Sequence, residues 1–359
     1  MSEDFIMQMR PLFGDEEKKA ISDYMDEDGF ITEYKRTEAF EDLISEYTGS
    51  KNCIVVNNGT ISLTLAAIAS GIQANDEVIV PNYTMIATPN SVKMFGAKPI
   101  FVDVEPETLC LDINKVKKAI TSKTKAIMLV SANGRYPKSG IKAFEDLCAN
   151  DGIALIEDAA QGMGSFYPDG RHIGRAGKIG SFSFSSPKII STGQGGALIT
   201  DCDETASKIR KLKDFGRTSG GNDVHDSIGF NFKFTELQAC IGIEQMKKLH
   251  ARVLRKKEIF KLYEDYLSDL EEVSLFKHDL ENTSPWFIDS VCEDRDNLMI
   301  YLKDNNIGTR VMYPPINKQS IYLDDDTHEV SQYIGSNGLW LPSAVQLKND
   351  QIKYITNKI

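Results

Sequence analysis

The chain has 359 residues, 41% of them hydrophobic, and a formal net charge of −11. It is long enough for two domains and a large buried core, and too acidic to take nucleic acid or an anionic membrane surface as its main partner. Six cysteines without a Cys-x-x-Cys pair and five scattered histidines argue against a disulfide frame or a metal site, and an acidic start without a long apolar run argues against export or a membrane span, leaving the cytoplasm as the expected compartment.

A first helix is expected over residues 13–24, where Gly14-Asp15 opens a polar pattern that Asp28-Gly29 breaks. Residues 30–36, Phe-Ile-Thr-Glu-Tyr-Lys-Arg, read as a solvated charged loop leading into a helix over 37–47, with Phe40, Leu43 and Ile44 on one face. Residues 53–56 form a short strand, and Asn57-Asn58-Gly59-Thr60 turns it into an apolar helix that ends before Gly71. A strand, a small turn and a helix start place free N–H groups and the positive dipole end where a phosphate can bind. Gly59 and Thr60 are the candidates, and plain N-capping is the alternative use of the same residues.

A second strand covers 77–80 and closes at Pro81; further strands are expected over 99–103, 125–131, 154–157, 180–184 and 197–200, with helices between them, as at 112–120 and 141–150. Seven short apolar strands alternating with helices indicate a mostly parallel sheet with helices on both faces, an α/β large domain. Two of the strands carry chemistry. The run at 153–156 ends in Glu157-Asp158, at the carboxyl end where open α/β sheets receive ligands. An aspartate there either caps the next turn or faces the nitrogen of a pyridine ring and keeps it protonated.

The stretch 180–196, Gly-Ser-Phe-Ser-Phe-Ser-Ser-Pro-Lys-Ile-Ile-Ser-Thr-Gly-Gln-Gly-Gly, places Lys188 after an alternating strand end and before glycines that let backbone pass close to a ligand. Lys188 is either a surface lysine in a glycine-rich loop or a Schiff-base anchor for pyridoxal phosphate, with Ser183 donating to the phosphate. Downstream, 203–215 reads as a basic amphipathic helix, 216–222 as a glycine-rich loop and 235–249 as a helix. A further helix over 252–270 carries Arg255-Lys256-Lys257, a solvated face or helix-to-helix link. The boundary is set near residue 250, with a large domain over 1–249 and a small α+β domain over 250–359 holding strands at 286–291 and 309–313 and a helix at 294–305.

Glu157-Asp-Ala-Ala-Gln161, then Ser181-Phe-Ser-Phe-x-x-x-Lys188 with Gly193-x-Gly-Gly196 after it, then Gly229-Phe-Asn-Phe-Lys233, resemble the DegT-type nucleotide-sugar aminotransferases. The likeness runs from Gly59-Thr60 to Leu341-Pro342-Ser343. It implies the fold-type-I architecture of pyridoxal 5′-phosphate (PLP) enzymes. It also implies a homodimer that moves an amino group from L-glutamate to a keto-sugar nucleotide, at C4 of a 4-keto-6-deoxyhexose, in ping-pong fashion. The resemblance makes Lys188 the catalytic amine and assigns Gly59, Thr60, Met85, Asp158, Gln161 and Ser183 to the cofactor. It sends Asn231 across a dimer interface to the cofactor phosphate of a second subunit, and gives Thr32, Lys35, Arg36, Arg310, Tyr313 and Lys318 to the substrate.

The sequence departs from the family in places. Met85 stands where relatives stack an aromatic on the cofactor ring, with Tyr83 as the other candidate. The loop Ser131-Ala-Asn-Gly-Arg-Tyr-Pro137, expected to touch substrate, lacks the relatives' histidine and Tyr-Gly pair, and Gln194 replaces a glutamate. A sugar dehydratase of this fold would carry histidine in place of Lys188, and a dinucleotide oxidoreductase would need G-x-G-x-x-G at 57–62. A non-catalytic regulator would lose the lysine or gain a DNA-binding segment, whereas a non-nucleotide carbonyl acceptor stays open.

Overall fold

The computed structural model describes residues 5–218 and 223–359; the acidic start at 1–4 and residues 219–222 of the expected glycine-rich loop lie outside them. Two helices, α1 (Asp15–Asp26) and α2 (Lys35–Thr48), precede β1 (Asn52–Val56), α3 (Gly59–Ala69), β2 (Glu77–Pro81), α4 (Ala87–Lys93), β3 (Lys98–Val102), α5 (Ile113–Ala119) and β4 (Thr124–Val130). Then come α6 (Ile141–Asp151), β5 (Ala154–Asp158), β6 (Ile179–Ser183), β7 (Gly196–Thr200), α7 (Asp203–Lys213) and α8 (Glu236–Leu267). The strands form one seven-stranded sheet in the order β1-β7-β6-β5-β4-β2-β3. β3, β2, β4, β5 and β6 run parallel, and β7 is antiparallel to both its neighbours.

Alternation along these strands makes three layers. Val55, Ile79, Ile127, Leu129 and Leu155 face a core closed by Phe40, Ile44, Phe144 and Leu249, whereas Ile54, Val78, Val80, Met128 and Ile156 face one closed by Ile61, Leu65 and Ile209. Each such fully buried side chain contributes about 1.5–3 kcal/mol, and with both faces covered the strands lose the polar alternation of a half-exposed sheet. Because β7 alone is reversed, the carboxyl ends of β1, β2, β5 and β6 and the start of β7 all open on one edge of the sheet.

The small unit is a four-stranded antiparallel sheet, β10-β11-β9-β8, made of β8 (Val273–Leu275), β9 (Ile288–Cys292), β10 (Arg310–Val311) and β11 (Gly338–Leu341). Around it lie α9 (Arg295–Asp304), α10 (Glu329–Asn337) and α11 (Asn349–Thr356). Only β9, β10 and α9 are legible beforehand; β8 has three residues and β11 is an unpatterned Gly-Leu-Trp-Leu.

The two helices expected over 235–249 and 252–270 are one helix of 32 residues. Leu249-His250-Ala251-Arg252 holds no glycine or proline to interrupt it, so residue 250 lies inside α8 and the large and small units share that helix. The N-terminal segment joins the small unit, where Ile6 N–H donates to Asn306 O at 2.8 Å and Gly308 N–H to Ile6 O at 2.7 Å. Among the described residues no helix is long and apolar enough to cross a membrane.

Candidate active site

Lys188 lies in the loop between β6 and β7, at the sheet edge just described. It lines a cavity with Ala160, Gln161, Met163, Ser183 and Trp286, and its Nζ stands 4.3 Å from the centre of the Trp286 ring. Burial pushes the amine down to about 8; the Asp158 carboxylate opposes that fall and the Arg310 charge adds to it. Lys188 and Asp158 therefore share one electrostatic environment.

Asp158 ends β5 and is 5% exposed. Its Oδ2 accepts from Thr88 Oγ1 at 2.8 Å, which is itself 2.9 Å from Thr84 Oγ1, and its Oδ1 accepts from Ala160 N–H at 3.2 Å. Burial raises its carboxyl, while the Thr88 hydroxyl, the Ala160 amide and Lys188 draw it back down. Neutral donors alone hold it, a state that favours a cationic group opposite. Its neighbour Glu157 points the other way, by the period-2 alternation of the strand, and is taken up by Tyr167 and the amides of Gly174, Ala176 and Gly177. Of the two carboxylates, only Asp158 faces the site.

At the end of β1, Asn58 caps α3 by accepting from Ile61 N–H at 2.9 Å. That capping leaves Gly59 and Thr60 as the first helical residues, with N–H groups that find no acceptor among the described residues. The N-capping reading of the tetrapeptide thus falls on Asn58, and the amides of Gly59 and Thr60 are left open to an acceptor. A Cβ on Gly59 would come 2.8 Å from Ser183 Cβ, so the glycine keeps the helix start and Ser183 side by side. Gly196 serves protein against protein, since a Cβ there would sit 2.6 Å from Asn58 O.

Gln161 closes another wall, its Oε1 accepting from Asn133 N–H at 2.5 Å. Tyr313 packs edge-on against Trp340 at 4.8 Å and lies 5.9 Å from Tyr83, and its buried phenol is raised, with Asp158 adding to the rise and Arg310 opposing it. Arg310 spreads over Trp340 at 5.4 Å. The fold thus brings Lys188, Asp158, Gln161, Ser183, Gly59 and Thr60 to one edge, with Arg310 and Tyr313 in electrostatic reach.

Other expected residues stand apart. Met85 is 45% exposed, with its sulfur 3.0 Å from Ala87 N, while Tyr83 is buried between Tyr313 and the small unit. Lys318 is exposed and donates to Asp324 O at 3.3 Å. Thr32 pairs with Thr235, Lys35 lies over Tyr34, and Arg36 pairs with Glu27 at 2.7 Å, so none of the three lines the Lys188 cavity. Their segment is organised by buried Glu236, which accepts from the amides of Tyr34, Arg36 and Thr37. Asn231 is exposed and forms a bridge with Asp214.

Residues 11–359 match the model of the DegT/DnrJ/EryC1/StrS aminotransferase family. The chain belongs to this family. This aminotransferase is 32% identical to a GDP-perosamine synthase of Vibrio cholerae, over 97% of its own length and 96% of the relative's, and 32% identical to one of Escherichia coli O157:H7, over 99% and 98%. Among solved structures it resembles S. venezuelae DesV in complex with a ketimine intermediate, with TM-score 0.90, 28% identity and coverage of 98% and 97%. Helicobacter pylori PseC, an aminotransferase of pseudoaminic acid biosynthesis, shares the fold with TM-score 0.92 at 22% identity, over 99% and 98%.

Several residues of the aminotransferase's site escape the sequence. Thr88 holds Asp158 from 70 positions away, and Trp286 underlies Lys188 from 98 positions on. The loop after β4, expected at the substrate, fastens the two units together through two of its side chains. Asn133 exchanges hydrogen bonds with the Phe287 backbone, and Arg135 pairs with buried Asp289. Both polar side chains are consumed inside the protein. In the expected solvated cluster, Arg255 does link to Asn349, but Lys256 is 3% exposed.

Proposed function

We propose that this aminotransferase takes the amino group of L-glutamate and, with PLP, delivers it to the C4 carbonyl of a nucleotide-linked 4-keto-6-deoxyhexose. The observation that carries the reading is the Lys188 amine, in a cavity with Gln161 and Ser183 and within electrostatic reach of the buried Asp158 carboxylate, together with two relatives named GDP-perosamine synthase. The residues fit PLP: a carboxylate with only neutral donors suits a protonated ring nitrogen. The gap between Gly59 and Ser183, which a Cβ would fill, sits beside free helix-start amides.

Bound there, PLP supplies an electron sink for the pair released when a Cα proton leaves. The protein's groups do the rest. Asp158, oriented by Thr88, keeps the ring nitrogen protonated. Lys188, brought down to about 8, is a base of useful strength near neutral pH and carries the proton between the two carbons that exchange it. The amides of Gly59 and Thr60 and the Ser183 hydroxyl take the phosphate, while Arg310 and Tyr313 face the substrate end. Thr32, Lys35, Arg36 and Lys318 reach the nucleotide as the sugar binds, and Asn231 serves the phosphate of a second copy in a homodimer.

The test is to titrate the purified protein with PLP, follow the visible absorption of the bound cofactor, supply glutamate, measure 2-oxoglutarate, and then offer GDP-, UDP- and dTDP-linked keto sugars. Turnover abolished in Lys188→Ala, with cofactor held only loosely, and amination of one nucleotide sugar by the natural protein, are the expected results. A working glutamate step with every nucleotide sugar refused would overturn the acceptor.

A further inference from the structure

We propose that Lys256 is a positioning residue for Lys188, acting through Trp286; the idea rests on the reading of Lys188 as the reacting amine. Lys256 lies in α8 and is 3% exposed. Its Nζ donates to Trp286 O and to Ser343 O, each at 2.5 Å, and among the described residues no carboxylate pairs with it. Burial brings the amine down to about 7. A buried amine without a counter-ion is a costly way to join two carbonyls, and what those carbonyls hold explains its place.

Trp286 is fixed at three points. Lys256 holds its carbonyl, its Nε1 donates to Pro187 O at 2.7 Å, and its ring stacks on Phe287 at 3.8 Å and 18°. Pro187 is the residue before Lys188, and the indole face lies 4.3 Å from Lys188 Nζ. One side chain thus sets both the backbone entering Lys188 and the surface under its amine. Lys256 and Lys188 also line a common small cavity with Arg10, Gln245 and Arg252, so Lys256 closes that cavity from the α8 side. Charges on Lys188 come from Asp158 and Arg310, neither of which touches Lys256.

Loss of Lys256 frees the Trp286 peptide and admits water behind Lys188. Burial is the main cause of that amine's low value, so hydration moves it upward, toward an ordinary lysine. The experiment uses the full chain without cofactor. Reductive methylation of Lys188, read by mass spectrometry across pH, gives the midpoint of its amine in the natural protein, in Lys256→Met and in Trp286→Phe. The last keeps an aromatic ring but breaks the bond to Pro187. Lys256→Met is expected to raise the midpoint by about one pH unit, about a tenfold fall in amine reactivity at neutral pH, and Trp286→Phe by less. In a Trp340→Phe background, where Trp286 is the single tryptophan, Lys256→Met should red-shift the emission. A lowered melting temperature with an unmoved Lys188 midpoint in both variants overturns the proposal. If Lys256→Met does not fold, Trp286→Phe alone decides. Failure of PLP binding would be seen separately and would sink the functional reading, not this one.

Discussion

Arg135 and Asp289 meet as a two-point ion pair, each N–O contact 2.7 Å, between the loop after β4 and strand β9. They are 3% and 1% exposed, and the same guanidinium donates to Lys277 O and Phe276 O. Taking away one partner strands a charge in the interior. Either Arg135→Ala or Asp289→Ala should cost about 3–5 kcal/mol in urea unfolding, whereas replacing both with apolar residues of similar volume should recover most of it. A loss below about 1 kcal/mol in both single variants would show the pair to be idle.

Thr88→Val removes the hydroxyl donor from Asp158 and keeps the shape. A donor to the charged form lowers a carboxyl, so its removal raises Asp158 further than burial already has. The acid limb of kcat against pH should therefore move to higher pH, with kcat at neutral pH down about tenfold and KM for glutamate little changed. An unshifted acid limb would mean that Thr88 does not govern this carboxylate.

The buried lysine in α8 also makes a stability prediction with a fixed sign. Its folded value, about 7, lies below the unfolded value near 10.5, so between those limits the unfolded chain binds more protons and stability rises with pH. Below about pH 7 both states are protonated and the full penalty of the buried charge is present. Lys256→Met lacks that penalty. The stability of the natural protein relative to Lys256→Met should climb by about 1.4 kcal/mol per pH unit from pH 7.5 to 9.5, which urea unfolding at several pH values would measure. Titrating groups other than Lys188 cancel in the difference, and the rise expected in the Lys188 midpoint of the variant adds to the climb between about pH 8 and 9. A flat difference would place the amine's folded value near that of an exposed lysine.

What the sequence made legible was local. An apolar run at 153–156 ending in Glu157-Asp158, alternation at 181–184, a helix start after Asn58, and a lysine between a strand and glycines are all patterns a few residues long. They locate the sheet edge that carries Lys188 and Asp158. What stayed hidden joins distant positions. Arg135 and Asp289 are 154 residues apart, and Lys256 and Trp286 meet only because α8 runs on unbroken past residue 250. Lys256 sits between two other basic residues and reads as solvated; only its position on the buried face of α8 shows otherwise. The same holds for Glu236, an ordinary first-turn acid until the 34–37 backbone folds onto it.

Asn231 offers a test of the proposed sharing of a site between two copies. It is exposed, on a loop where Phe230, Ile228 and Val224 are exposed as well, and such apolar loop residues suit a buried face between copies. Asn231→Ala and Lys188→Ala should each be inactive alone. If, as proposed, each site draws its lysine from one copy and its asparagine from the other, then in a mixed dimer of the two variants one site carries both lesions and the other carries neither. Random reassociation of equal amounts makes half the dimers mixed, so about a quarter of the natural activity should return. If both residues served the same copy's site, every site in the mixture would keep one lesion, and no activity would reappear on mixing.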